Sequence, residues 1–188
     1  MISLDSNADS TFNPSAPPIS ISHAACGLFR ALSDQGLHLV CAESCTGGMV
    51  MTAITEIPGS SSILWGGIVA YSNECKSRLL GVSPEKIAGF GAVSREVARA
   101  MAEGALAAAN TTFGDGDGAD IALAITGIAG PEGGSAEKPV GLVWFAFKRG
   151  DGEAYEEVAV FPGDRAAVRE AAAEHAMIRA TALVMGRY

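Results

Sequence analysis

Between Glu43 and Gly48 the chain sets a hydroxyl and a thiol, Ser44 and Cys45, immediately before Thr46 and two glycines. Leu39 to Ala42 is a short apolar run of strand character. From Met49 onward, Val50, Ala53, Ile54 and Ile57 recur at helical spacing. The two nucleophile candidates therefore fall where a strand turns into a helix, at a place where backbone N–H groups have no intrahelical partner. That arrangement suits acyl transfer: the side chain attacks a carbonyl carbon and the donors hold the oxyanion that forms. On this reading Ser44 is the nucleophile and the N–H groups of Cys45 to Gly47 form the oxyanion hole, with Cys45, Thr46, Gly47 and Gly48 as substrate contacts. The same residues also read as an ordinary turn, with Thr46 or Ser44 as a helix cap and the glycines for tight packing. Cys45 is either a competing nucleophile or a buried structural thiol.

Acyl transfer also needs a base. The three histidines, His23, His38 and His175, lie far apart in sequence and none is close to Ser44. Lys76, in Tyr71-Ser72-Asn73-Glu74-Cys75-Lys76, is the natural partner, with Asn73 three residues earlier on the same helical face. To accept a proton near neutrality it must lose roughly three units from an ordinary lysine pKa of about 10.4. Desolvation beneath an apolar strand, aided by a second cation, can supply that shift. The alternative is an ordinary surface lysine. Tyr71 and Asn73 are taken as substrate contacts beside it.

Two more segments could meet a ligand. Ile125 to Pro131 and on to Gly134 is dense in glycine, and Gly130, Gly133 and Gly134 can let a ligand approach the backbone. It is not a P-loop, because no Gly-Lys-Ser/Thr follows and the next element is a strand. Asp164 is placed to cap the last helix, and Arg165 just past it can hold a phosphate or carboxylate, or be simply solvated. A pair of glycines, Gly66-Gly67, inside an apolar run implies close approach by another group, a ligand among the candidates. His175, on the apolar face of the last helix, reads as a packed or interface residue.

The elements that must position these residues alternate. Helical spacing covers roughly 20–34, 49–57, 73–80, 94–110 and a final helix from 164. One further turn of helix starts at Ser83-Pro84-Glu85. Strand character covers 38–42, 63–71, 121–126, 142–147 and 155–161, the last two joined by a hairpin turn at Arg149-Gly150-Asp151-Gly152. This predicts an α/β chain: a single-domain three-layer α/β/α sandwich with a mixed sheet. Residues 1–19, rich in Ser, Asn and Pro, are expected to be a flexible N-terminal arm before a domain at 20–188. The Asp-Gly alternation at 114–118 lacks the downstream Glu of an EF-hand.

Composition limits the partners. An apolar content of 48% with 18% charged residues fits a globular chain, and a net charge of −8 argues against nucleic acid. Four cysteines without a CxxC pair, and no signal-like start, fit reduced thiols and a cytoplasmic location. No run is long enough to cross a bilayer and no histidine spacing suits zinc, so neither membrane nor metal is expected.

Taken in order, several segments resemble the C-terminal domain of the CinA family. They are Ala42-Glu43-Ser44-Cys45-Thr46-Gly47-Gly48, Pro58-Gly59-Ser60-Ser61, Tyr71-Ser72-Asn73 with Lys76, Gly91-Ala92-Val93-Ser94, Met101-Ala102, Ile125 to Pro131, Lys138-Pro139-Val140-Gly141, and Gly163 with Arg165. They span residues 20–186. The resemblance implies a nicotinamide-nucleotide amidohydrolase. Such an enzyme hydrolyses the carboxamide of nicotinamide mononucleotide to nicotinic acid mononucleotide and ammonia, in pyridine nucleotide recycling. It implies a serine and a lysine, here Ser44 and Lys76, working without metal or cofactor. It adds Thr126 to the catalytic set, offers Arg165 for the nucleotide phosphate, and implies a homodimer acting on a small nucleotide. Longer members carry a further molybdopterin-binding-like domain that has no counterpart here, so its pyrophosphatase activity is not expected. The competing readings are a non-catalytic nucleotide-binding module linked to competence or DNA damage, and an amidase for another carboxamide.

Overall fold

Leu39–Glu43 (β1) is buried at all five positions and Ile121–Gly127 (β3) at its first six. Strands with no solvent face belong in the middle of a sheet covered on both sides. A computed structural model gives the structure of residues 20–111 and 118–187. The arm expected at 1–19, and all but the last residue of the acidic loop at 114–118, lie outside these residues.

The sheet adds Leu64–Val69 (β2), Leu142–Arg149 (β4) and Tyr155–Val160 (β5), in the order β2-β1-β3-β4-β5. The first three strands in that order are parallel, and β4 runs antiparallel to both its neighbours. Six α-helices surround it among the described residues: Ile21–Gln35 (α1), Met49–Thr55 (α2), Asn73–Leu80 (α3), Pro84–Phe90 (α4), Arg95–Thr111 (α5) and Arg165–Val184 (α6). Alternate strand positions feed opposite cores. Leu39, Cys41, Leu123, Ile125 and Phe145 pack with α1, α2 and α6. Val40, Ala42, Ala122, Ala124 and Ala146 pack with α3, α4 and α5. The result is the expected three-layer sandwich with a mixed sheet.

Several boundaries differ from the sequence reading. α2 stops at Thr55, and a single 3-10 turn at Ser60–Ser62 follows. The turn of helix expected at Ser83-Pro84-Glu85 runs on to Phe90. Ser83 caps it through the Lys86 N–H, and buried Ile87 ties it to the core. The close approach at Gly66-Gly67 has an internal cause and not a ligand. A side chain at Gly67 would collide with the sulfur of Met51 on α2 and come within 2.7 Å of the Cys41 carbonyl. A side chain at Gly66 would meet nothing within 4 Å.

Adjacent residues of the edge strand β5 fasten both helical layers. Glu156 pairs with Arg95 and Arg99 of α5. Glu157, on the other face, meets His175 at 2.6 Å and accepts from Arg179 at 2.8 Å, both on α6. Burial alone would raise the Glu157 pKa; its hydrogen bonds and charges with His175 and Arg179 outweigh that and hold it below its ordinary value. His175 also packs on the rings of Phe145 and Phe161, so it is a packed residue, as read from its helical face. These contacts fix the helix whose first turns carry Arg165 and Arg169.

α3 is set by close backbone contact. A side chain at Gly104 of α5 would collide with the Leu80 carbonyl at the end of α3. The helix bears a glycine there, at a propensity cost of about 1 kcal/mol, so that α3 can lie against it. Gly104→Ala should lower the free energy of unfolding by about 1–3 kcal/mol in urea titration, because backbone cannot move aside as a flexible side chain can. Gly89→Ala, in α4 with open space around it, should leave stability unchanged or raise it by up to about 1 kcal/mol.

Candidate active site

Ser44 lies one residue past β1, and its N–H donates to Ile125 O, which continues the pairing with β3 beyond the strand's end. Lys76 lies on the buried face of α3, whose first turn is capped by the Ser72 hydroxyl accepting from Cys75 N–H at 3.0 Å. These two elements bring the Lys76 Nζ within 3.0 Å of the Ser44 Oγ, across thirty-two positions of sequence. The Ala70 and Tyr71 carbonyls lie 2.9 and 3.1 Å from the same nitrogen. Lys76 is 2% exposed, and among the described residues no carboxylate pairs with it. Burial lowers its pKa from the ordinary lysine value.

The hydrogen count around that nitrogen is informative. Two of its three neighbours are carbonyls, which only accept, and the third is a hydroxyl, which can also donate. An ammonium can donate to all three; the neutral amine, which burial favours, can give two N–H to the carbonyls and take the serine O–H on its lone pair.

Cys45 is also buried beside the cleft, but burial pushes its thiol up to about 11, against the smaller lowering by backbone N–H groups and Lys76. A thiol so rarely ionised is a poor nucleophile at neutral pH.

At the start of α2 the donors of Gly47, Gly48, Val50 and Met51 are occupied by groups of the chain itself. Glu43, fully buried, turns its carboxylate onto the start of α2 and accepts from the N–H groups of Gly48, Val50 and Met51 at 2.9, 3.3 and 3.1 Å. It thereby does what an N-cap side chain does, since Gly48 at the cap position has none. Gly47 N–H donates to the Ser44 carbonyl at 3.1 Å. Of the donors expected for the oxyanion, those of Cys45 and Thr46 remain, and both lie beside the Cys45 thiol. Arg169, on α6, holds the other side of this turn and donates to the Cys45 and Thr46 carbonyls at 3.0 and 2.9 Å.

A cleft of about 140 Å³ opens over these groups. Ser44, Cys45, Tyr71, Asn73, Lys76, Thr126 and Arg165 line it, together with Ala92, Val93, Gly127 and Ala129. Thr126 donates its hydroxyl to Ala92 O at 2.8 Å, so it ties two lining segments together while its oxygen can still accept. Arg165 donates to Gly130 O at 2.8 Å and to the Tyr71 hydroxyl at 3.0 Å, and no carboxylate pairs with it among the described residues. Thr46, Gly47, Gly48, Gly130, Gly133 and Gly134 do not line the cleft. Gly134 instead makes room for the loop's own backbone at Val140, and Thr46 is buried.

Comparison with known proteins settles the family. The model of the CinA C-terminal domain matches residues 22–184. The chain belongs to the CinA C-terminal domain family. Among relatives of this CinA-type chain, nicotinamide-nucleotide amidohydrolase PncC of Enterobacter agglomerans is 51% identical over 143 residues, covering 76% of this chain and 82% of the relative. The protein of the same name from Escherichia coli K12 is 49% identical over 148 residues, covering 79% and 85%. The crystal structure of competence/damage inducible protein CihA from Agrobacterium tumefaciens superposes with a TM-score of 0.81 at 41% identity, covering 88% of this chain and 96% of that one.

Sequence reasoning missed three features of this CinA-type site. Glu43 was visible only as a residue of the motif. An acid just before a capless Gly-Gly helix start was the available signal for its role. Arg169 lies 124 positions from the carbonyl it holds, and no local pattern marks it. Ala92 and Val93 reach the cleft only through the packing of α4 and α5.

Glu43→Ala leaves three N–H groups without an acceptor in a buried turn. It should lower unfolding free energy by about 2 kcal/mol or more. Glu43→Gln, which keeps one accepting oxygen, should lose less. A loss below about 0.5 kcal/mol in Glu43→Ala, measured by denaturant titration, would show that the carboxylate is not what holds the turn.

Proposed function

We propose that this chain is an amidohydrolase that converts nicotinamide mononucleotide and water into nicotinic acid mononucleotide and ammonia through Ser44 and Lys76. The contact of a buried, acid-free lysine amine with a serine hydroxyl carries the reading. The names of the relatives supply the substrate.

The chemistry follows from the atoms in place. Lys76, neutral, takes the Ser44 proton as Oγ attacks the amide carbon. The oxygen of that carbon becomes an oxyanion facing the Cys45 and Thr46 N–H groups, each such donor contributing roughly 3 kcal/mol to the transition state. As the tetrahedral centre collapses, the C–N bond breaks and Lys76 returns the proton to nitrogen, so that ammonia leaves. An acyl ester on Ser44 remains. Water then attacks with Lys76 again as base, the C–O bond to Ser44 breaks as Lys76 returns that proton to Oγ, and the acid released ionises to the carboxylate. Since the neutral amine is the working form, turnover rises with pH as Lys76 loses its proton. The cleft takes the pyridine carboxamide at its inner end. The phosphate lies toward Arg165, whose charge meets only a carbonyl and a phenol. Thr126 and Asn73 border the ring, and remote binding at the phosphate orients the amide for attack.

Purified protein should release ammonia from nicotinamide mononucleotide in preference to nicotinamide or simple aliphatic amides. Ser44→Ala and Lys76→Ala should abolish turnover with the fold retained by circular dichroism. Cys45→Ala should keep most of it. Arg165→Ala should raise KM by roughly tenfold or more with kcat little changed. Activity lost in Cys45→Ala and kept in Ser44→Ala would overturn the assignment. Nucleotide binding without ammonia release from wild-type protein would favour a binding module.

A further inference from the structure

In the reaction proposed above, the oxyanion donors belong to the peptides on the C-terminal side of Ser44. Those peptides are held from behind by a single side chain. Arg169 Nε donates to the Cys45 carbonyl and an Nη to the Thr46 carbonyl. Its guanidinium pairs with no carboxylate among the described residues. In a peptide plane the C=O and N–H point in opposite directions. A donor that fixes the Cys45 carbonyl toward α6 therefore fixes the Thr46 N–H away from α6. The same bond to the Thr46 carbonyl fixes the Gly47 N–H, which closes the turn on the Ser44 carbonyl at 3.1 Å.

A charged donor on a carbonyl also polarises the N–H of that peptide, so the Thr46 N–H becomes a stronger donor to a developing negative charge. The turn is shaped to admit this contact. Gly47 has φ +64°, and a side chain there would lie 3.3 Å from an Arg169 Nη.

We propose that Arg169 is a positioning residue for the reaction, orienting and polarising the Thr46 peptide as an oxyanion donor while touching no substrate atom. The proposal rests on the amidohydrolase reading for its catalytic consequence, but its structural half can be read without substrate. A guanidinium fork reaches two carbonyls at once. An ammonium is a point donor, so Arg169→Lys should recover only part of the effect.

Arg169→Ala, Arg169→Lys and wild type are compared in two ways. The first is steady-state hydrolysis of nicotinamide mononucleotide, with and without millimolar guanidinium chloride. The expected result is a fall in kcat of ten- to a hundredfold for Arg169→Ala with KM within threefold. Arg169→Lys should be intermediate, and added guanidinium should restore part of the Arg169→Ala activity but none of Ser44→Ala. The second is the ¹H–¹⁵N spectrum of the ligand-free protein, in which the Thr46 and Gly47 amide signals should move in Arg169→Ala while those of β4 stay in place. Wild-type kcat in Arg169→Ala, or a rise in KM alone, overturns the proposal. Unmoved Thr46 and Gly47 signals overturn it as well. If the wild type proves inactive on the nucleotide but the Thr46 amide moves as expected, the substrate assignment fails and the orienting role of Arg169 stands.

Discussion

A lysine amine only 2% exposed, in contact with two carbonyls and one hydroxyl and with no carboxylate paired to it among the described residues, is the constraint on which this molecule turns. Protonating Lys76 in the folded chain places a charge where neither solvent nor an acid compensates it, and each unit by which its pKa falls corresponds to about 1.36 kcal/mol. Because the folded value lies below the unfolded one, the unfolded chain binds the extra proton between them. The contribution of this residue to stability therefore rises with pH across that window. The fold tolerates such a residue because α3 is held close, through the cap at Ser72 and the bare backbone of Gly104. Ser44 is held equally firmly from the other side by the ladder between β1 and β3.

Charge around the nucleophile turn is divided between two faces. Glu43 takes up the donors at the start of α2, which would otherwise attract an anion to that helix end. Arg169 takes up the carbonyls behind the turn. The N–H groups of Cys45 and Thr46 remain beside the Cys45 thiol, and Arg165, elsewhere on the cleft, pairs with no carboxylate among the described residues. The arrangement sets the buried Ser44–Lys76 contact at one place in the cleft and the Arg165 guanidinium at another. The glutamates of β5 keep it rigid by anchoring α5 and α6 to opposite faces of one strand.

The layered fold was legible because periodicity reports burial. β1 and β3 are apolar without alternation, as strands covered on both faces must be, and the helices carry stripes at helical spacing. The Ser44–Lys76 pairing was legible by chemistry: a hydroxyl at a turn needs a base, and no histidine was near. Local pattern gave less where the explanation is tertiary. Gly66-Gly67 implied close approach by some group, with a ligand among the candidates, and at Gly67 that group is Met51. Of the free donors expected from Cys45 to Gly47, that of Gly47 is taken by Ser44's own carbonyl, and Glu43 takes those of Gly48, Val50 and Met51, which no spacing rule reveals. Arg169 acts across 124 positions, and only the packing of α6 on the sheet brings it to the turn.

Whether Lys76 can act as a base comes down to one proton on its amine. Lysine labelled at the ε-carbon, with the Lys76 signal assigned by its absence in Lys76→Met, can be titrated by ¹³C NMR in the ligand-free protein. The account predicts a midpoint well below the ordinary lysine value of about 10.4, shifted away from the other lysines. A Lys76 signal that titrates together with the exposed lysines would mean the amine is charged at neutral pH, and the serine would have no base.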